Sequence, residues 1–160
     1  MTPDPAKAFF LDIDGVLNTR KTWGAWIRLG RPSSLEPVLV DRARRIQAAT
    51  GAVVVLSSSW RLEQCAGLAK TLLCLEERGW PNARDVFHRE VTPHVGGPRG
   101  KEIAIFLEEH PEIKTCVVID DDPDVRDVEA HWLPVDIDFG IQEDHIDEAI
   151  KRLGLRTPIP

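Results

Sequence analysis

Ala8-Phe9-Phe10-Leu11-Asp12-Ile13-Asp14-Gly15-Val16-Leu17-Asn18 is the stretch on which the fold turns. Its first half is almost continuously apolar, the pattern of a strand covered on both faces, as in a parallel sheet. It then breaks into two carboxylates and a glycine. Asp12 and Asp14, two residues apart, share one face of an extended chain. Gly15 lets the backbone turn sharply. Two like charges this close repel unless a cation or a proton lies between them. Carboxylates together with a phosphate and water suit Mg²⁺, a hard ion that takes oxygen ligands. Taken alone, Asp14-Gly15 reads equally well as a plain turn after a strand.

Working outward, similar apolar runs recur. Ala52-Val53-Val54-Val55-Leu56 is the second, Asp85-Val86-Phe87-His88 a weaker third, Cys116-Val117-Val118-Ile119 the fourth and Leu133-Pro134-Val135-Asp136-Ile137 the fifth. Helical spacing fills the intervals. Val38, Leu39, Arg42, Ala43, Ile46 and Ala49 recur every three or four residues, with Ser34 as a cap and Gly51 as a stop. Residues 62–78, 101–110 and 143–153 carry the same period. Strand alternating with helix predicts an α/β fold, a three-layer, Rossmann-like parallel sheet of about five strands with helices on both faces. Such sheets bind ligands beyond the carboxyl ends of their strands.

Those ends are chemically loaded. Ser57-Ser58-Ser59-Trp60-Arg61 follows the second run; a hydroxyl there can hold a phosphate oxygen or cap a helix. Arg99-Gly100-Lys101 opens the helix after the third run. Either cation can meet a phosphate, arginine with its planar fork, or both can be solvated. Asp120-Asp121-Asp122-Pro123-Asp124 follows the fourth run. Carboxylates packed against an apolar strand are costly without a cation, although a capping acidic loop is the simpler alternative. Each signal alone is moderate. In chain order they supply a nucleophile, a phosphate hydroxyl, a phosphate cation and a metal site on one rim.

Composition bounds the rest. The 160 residues make one domain, with 42% hydrophobic and 29% charged residues. No apolar run approaches the roughly 20 residues of a membrane span, and residues 1–5 lack the basic start of a secretory signal. A net charge of −6 excludes a strongly basic nucleic-acid binder. Two local basic groups, Arg28, Arg31, Arg42, Arg44 and Arg45, then Arg84, Arg89, Arg99 and Lys101, read as solvated faces. Cys65, Cys74 and Cys116 form neither a disulfide framework nor a zinc knuckle. They read as buried small hydrophobes in a reducing cytoplasm. His88, His94 and His131 have no metal-ligand spacing.

The order of motifs resembles the haloacid dehalogenase (HAD) superfamily of phosphohydrolases over about residues 7–153. Leu11-Asp12-Ile13-Asp14-Gly15-Val16-Leu17-Asn18 looks like its first motif and Val55-Leu56-Ser57 like its second. Arg99-Gly100-Lys101 looks like the third and Val117-Val118-Ile119-Asp120-Asp121 like the fourth. Leu56-Ser57-Ser58-Ser59-Trp60-Arg61, with Arg99-Gly100-Lys101-Glu102-Ile103, is also similar to the domain of this type in multidomain RNA repair proteins. The resemblance implies that Asp12 attacks phosphorus and that Asp14 protonates the leaving oxygen, then activates water. It implies that Ser57, with Ser58 as fallback, binds the phosphoryl group. Mg²⁺ would be held by Asp12, the backbone carbonyl of Asp14, and Asp121, with Asp120 as alternative ligand or outer partner and Asp124 farther out. The superfamily's third motif usually offers lysine; alignment on the glycine puts Arg99 there, with Lys101 two places later, and either reaches the phosphate.

Asp14 favours phosphate esters over halides, which leave without a proton. Only about 20 residues, 19–38, separate the first motif from the next helix, and about 40 lie between Arg61 and Lys101. A full cap domain does not fit. The expectation is one domain, residues 1–160, with a small flap at about 19–33 carrying Trp23, Trp26 and Ile27. Those side chains either pack locally or touch substrate. An open site admits bulky substrates. The sequence therefore predicts a Mg²⁺-dependent phosphomonoester hydrolase working through an aspartyl-phosphate, with nucleic-acid or nucleotide phosphate ends as first substrates. The alternatives are a small-metabolite phosphatase and a non-catalytic metal- or phosphate-binding module. Nothing in the sequence implies a membrane or an obligate protein partner.

Overall fold

The computed structural model describes residues 2–29 and 34–155, with backbone alone over residues 25–29. Strands β1 (Asp4–Leu11), β2 (Ala52–Leu56), β3 (Thr115–Asp120) and β4 (Trp132–Pro134) form one parallel sheet in the order β2-β1-β3-β4. Among the described residues six α-helices accompany them: α1 (Arg20–Leu29), α2 (Pro37–Thr50), α3 (Gly67–Glu77), α4 (Ala83–Val86), α5 (Arg99–Glu109) and α6 (Glu143–Leu153).

Alternation along the strands divides the interior into two layers. Phe9, Leu11, Val54, Leu56, Val117 and Ile119 face one core, built with α2, α3, α4 and α6. Ala8, Phe10, Val53, Val55 and Val118 face a smaller one, closed by Ile103 and Phe106 of α5 and by Val125 and Val128 of the 3-10 segment Pro123–His131. α5 presses closely on that segment. A Cβ on Gly100 would stand 2.9–3.0 Å from the backbone of Val125 and Asp127.

Local signals account for most helix ends. Pro37 starts α2, and left-handed Gly51 ends it by donating its N–H to the Gln47 carbonyl. α6 runs over Glu143–Leu153 as expected, with Gln142 and His145 forming a reciprocal cap. Ser34 does not cap α2. Glu36 holds that position, and the Ser34 hydroxyl is engaged by Asn18 instead. α3 begins at Gly67, because residues 62–66 are a turn in which the N–H groups of Cys65 and Ala66 converge on the Leu62 carbonyl.

The sheet has four strands rather than about five. The weak third run folds as the short helix α4, with Ala83 and Val86 buried on one face. Phe87 then makes a single parallel bridge to Val54 and packs edge-on against Trp80. The polar residues that follow give the sheet nothing further to cover. The fifth run contributes only the three residues of β4.

Cys116 is buried as expected, but Cys74 is half-buried and Cys65 exposed. Arg42 and Arg45 pair with Glu143, Arg44 with Asp41 and Arg84 with Glu76, all at the surface. Arg99 is not a solvated cation; its side chain is only 18% exposed. The side chains of Trp26, Ile27 and Arg28, and the whole of Arg31, lie outside the described residues. No helix among the described residues is long and apolar enough to cross a membrane.

Candidate active site

β1 leads to β2 on one side of the sheet and β3 lies on its other side, so the topology switches between β1 and β3. Open α/β sheets bind ligands at that switch, outside the carboxyl ends. Register decides what stands there. Leu11 pairs with Leu56 and with Ile119, so Asp12, Ser57 and Asp120 follow side by side. Two bonds continue the ladder past the strands: the Asp12 N–H donates to the Ile119 carbonyl at 3.1 Å and the Ser57 N–H to the Leu11 carbonyl at 3.0 Å.

Asp12, Asp120 and Asp121 each bring a carboxylate oxygen to a common point, all within 4.8 Å of one another. Asp12 and Asp120 are buried and Asp121 half-buried. Left-handed Gly15 makes the turn tight enough for this. A Cβ there would lie 2.5 Å from the Asp121 carboxyl carbon, so no other residue leaves Asp121 in place.

Among the described residues, one cation pairs with this cluster. Arg99, in the first turn of α5, sets Nη1 3.3 Å from Asp12 Oδ1 and 4.0 Å from Asp120 Oδ2. Its backbone N–H donates to Asp124 Oδ2 at 3.1 Å, so Asp124 serves the helix start. Lys101 is exposed, and its stem runs past Gly97. Ser57 and Ser58 are both buried. The Ser58 hydroxyl favours the charged form of Asp12 and accepts from the Trp60 N–H, while Ser57 Oγ has no hydrogen-bond partner among the described residues.

Asp14 is held apart from the cluster. Asn18 Nδ2 donates to its Oδ1 at 2.8 Å and the Trp60 indole N–H to its Oδ2 at 3.0 Å. Asn18 also accepts from the Gly15 N–H at 2.8 Å and donates to Ser34 Oγ at 2.9 Å. Trp60 carries no chemical signature of its own in the sequence; its place directly after the serine triplet is the only signal.

The electrostatics of the cluster favour a further positive charge beside these carboxylates. Burial pushes the Asp12 carboxyl up to about 6, against the pull of Arg99. Burial and the neighbouring Asp12 push Asp120 up to about 8, and burial raises Asp121 as well. Burial works to lower the Arg99 pKa, but Asp12, Asp120 and Asp124 outweigh it and hold the guanidinium above the usual arginine value. Asp120 Oδ2 is buried without a hydrogen-bond partner among the described residues. Three oxygen donors, one of them orphaned, with one shared arginine fit a hard divalent cation such as Mg²⁺.

This arrangement has a sign. Asp12 and Asp120 bind protons more tightly in the folded chain than at the unfolded value of 3.8. Metal-free stability therefore falls as pH rises from about 4 toward 8. A Mg²⁺ ion held by these carboxylates would compete with those protons. At saturating concentration it should raise Tm by about 5–10 °C at pH 8 and far less at pH 5. Thermal melts at both pH values, with and without the ion, check this; an equal rise at both would rule out these carboxylates as the ligands.

The family model described as the HAD domain in Swiss Army Knife RNA repair proteins matches residues 8–146 of the chain. Among curated proteins and among solved structures, nothing matches. The matched span begins in β1, ends in α6 and contains every residue of the rim. The HAD superfamily is one of phosphatase-type hydrolases that typically use Mg²⁺, and the buried aspartate cluster is compatible with that chemistry. With four parallel strands, helices on both faces and this match over most of its length, the chain belongs to the HAD domain family of Swiss Army Knife RNA repair proteins.

Proposed function

We propose that the chain is a Mg²⁺-dependent phosphomonoester hydrolase that works through an aspartyl-phosphate on Asp12 and acts on phosphorylated nucleic-acid ends. One observation carries this reading. A buried carboxylate, Asp12, faces Arg99 and the Asp120–Asp121 pair, while a second carboxylate two residues later is fixed separately by Asn18 and Trp60. A site that only bound metal would have no use for that second, isolated acid.

In the first step an Asp12 oxygen attacks phosphorus, and the bond from phosphorus to the leaving oxygen breaks. Asp14 gives that oxygen its proton. In the second step Asp14 takes a proton from water, which attacks phosphorus and releases Asp12. Ser57 and Arg99 hold the phosphoryl oxygens: the serine hydroxyl is otherwise unpartnered, and the guanidinium stands beside Asp12. Ser58 orients Asp12. Trp60 and Asn18 bond to both oxygens of Asp14 and so keep it from swinging into the metal cluster. Asp12, Asp120 and Asp121, with the Asp14 carbonyl, would hold Mg²⁺, which supplies positive charge to the phosphoryl oxygens.

α1 serves as a small flap on a single domain without a full cap, leaving room for a polymer end; residues 30–33 of the expected flap lie outside the described residues. The three cysteines are free, which supports a reducing, cytoplasmic setting. The family's tie to RNA repair supports a nucleic-acid substrate.

The test is hydrolysis of an aryl phosphate with and without Mg²⁺, followed by oligonucleotides phosphorylated at the 3′ or the 5′ end. Metal-dependent turnover with higher kcat/KM on oligonucleotide ends than on small sugar phosphates is expected. The reverse preference would make the chain a metabolite phosphatase. Mg²⁺ binding without any turnover would make it a binding module.

A further inference from the structure

Asp14 has a second neighbourhood. It lines a cleft of about 280 Å³ together with Asn18, Thr19, Arg20, Trp23 and Ile137. That volume is near the lower end for small-ligand pockets, roughly 300 Å³. The cleft is firmly built. The Arg20 N–H donates to the Ile137 carbonyl at 3.1 Å, and the Trp23 N–H to the Thr19 carbonyl at 2.9 Å. Thr19 and Thr22 both donate to Glu36 Oε1, at 3.0 and 2.9 Å, which anchors the first turn of α1. Despite this anchoring, Trp23 remains 48% exposed. A large flat ring on an anchored helical turn, lining the same cleft as the acid and left half in water, offers a face to a ligand.

The position of Asp14 says what enters. The group that Asp14 protonates departs on the Asp14 side of the phosphorus, so the cleft receives the alcohol part of the ester. Asn18 and Thr19, both buried, close the cleft next to Asp14. Trp23 and Ile137 offer apolar surface. An acid and a flat apolar ring in one cleft match a leaving oxygen and the base carried on its sugar. Arg20 adds positive charge, paired only at the surface with Asp138 at 3.2 Å. Its charge suits an anionic ligand, and the exposed pair is cheap to give up.

We propose that the cleft formed by Asn18, Thr19, Trp23 and Ile137 beside Asp14 is a leaving-group subsite that selects phosphate esters of nucleosides by stacking the base on Trp23. This rests on the hydrolase reading above. A nucleobase stands one sugar away from the leaving oxygen, so one ligand can meet both the acid and the indole that line this cleft. In an aryl phosphate the ring carries the leaving oxygen itself and would have to sit against Asp14.

The experiment compares kcat/KM of the Mg²⁺-loaded full chain for a nucleoside 3′-phosphate, glycerol phosphate and a phosphotyrosyl peptide, in the parent, Trp23→Ala and Trp23→Phe. The ratio of nucleoside phosphate to glycerol phosphate should fall about 10-fold in Trp23→Ala and recover most of its value in Trp23→Phe. An equal loss on both substrates, or a preference for the phosphotyrosyl peptide, overturns the assignment. A second measurement does not need turnover. Adenosine, titrated into the chain and followed by the NMR signals of the Arg20 and Ile137 backbone N–H groups in the same cleft, should give a saturable shift that Trp23→Ala removes. If no ester is hydrolysed but the shift saturates, the hydrolase reading fails and the subsite stands. If hydrolysis proceeds but the ratio does not move and no shift occurs, the subsite fails alone.

Discussion

Replacing Asp12 with asparagine should lower kcat/KM by on the order of 10⁴-fold or more and leave the metal-free chain at least as stable as the parent at pH 8. The two halves have one cause. Asparagine cannot attack phosphorus, and the covalent route that splits one hard displacement into two easier ones closes. It also carries no charge. In the parent, burial pushes the Asp12 carboxyl up to about 6, so at pH 8 the folded chain holds a carboxylate it would rather protonate, next to Asp120 and Asp121. Removing that charge relieves the crowding, and Arg99 keeps Asp120, Asp124 and Glu102 as electrostatic partners. The rise of Tm with Mg²⁺ should shrink in the same variant, because one of three donors is weakened. Hydrolysis assays and melts on the two proteins check all of this. Turnover within 10-fold of the parent would place the nucleophile elsewhere; a large fall in Tm would mean that the ion pair with Arg99 holds the fold.

The opposite pattern is expected at Arg61. This side chain is 3% exposed and Glu102, its ion-pair partner, 4%. Arg61 also donates Nε to the Thr92 carbonyl at 2.8 Å, Nη1 to the Ser58 carbonyl at 2.8 Å and Nη2 to the Pro93 carbonyl at 3.3 Å. Glu102 uses its other oxygen to accept the Val95 N–H at 3.1 Å. The pair thus joins the end of β2, the segment 92–95 and the first turn of α5, which carries Arg99. Arg61→Ala leaves the buried Glu102 carboxylate without its ion pair and the Thr92 and Pro93 carbonyls without this donor, while the backbone N–H of residue 61 still serves the Ser58 carbonyl; the change should destabilise the chain by about 3–5 kcal/mol. That is a fall in Tm of about 10 °C. Arg61→Met combined with Glu102→Leu removes both charges and should recover part of the loss. A double variant no better than Arg61→Ala would show that the carbonyl bonds, and not the ion pair, carry the stability.

Much of this structure could be read before folding. The runs at Ala8, Ala52 and Cys116 are long, apolar and ended by polar residues, so hydrophobic patterning alone determines three parallel strands and the rim beyond them. α6 and the end of α2 are marked by local chemistry. The third run misled because Val86 and Phe87 are its only large apolar residues. With Trp80 and Ala83 they also satisfy a helical spacing, and that pattern prevailed because it buries them under β2. In the site, the meeting of Asp12, Asp120 and Asp121 follows from strand ends in parallel register. The grip of Trp60 on Asp14 and the burial of Arg61 against Glu102 do not. Both depend on pairs 46 and 41 positions apart whose rotamers are set only by packing.

The bond between Asn18 and Ser34 has one more consequence. It joins positions 16 apart, and the Glu36 N–H, donating to the Leu17 carbonyl at 2.9 Å, doubles the clasp. The excursion that contains α1 therefore leaves and re-enters the domain through a closed neck. The entropy of closing a loop grows only logarithmically, about 0.6 kcal/mol for each doubling of length. A longer or shorter excursion on the same neck would change little in the free energy of folding and would leave the geometry of Asp12 and Asp14 untouched. The neck separates what the domain does from what it does it to, so new specificities can be grafted onto an unchanged reaction.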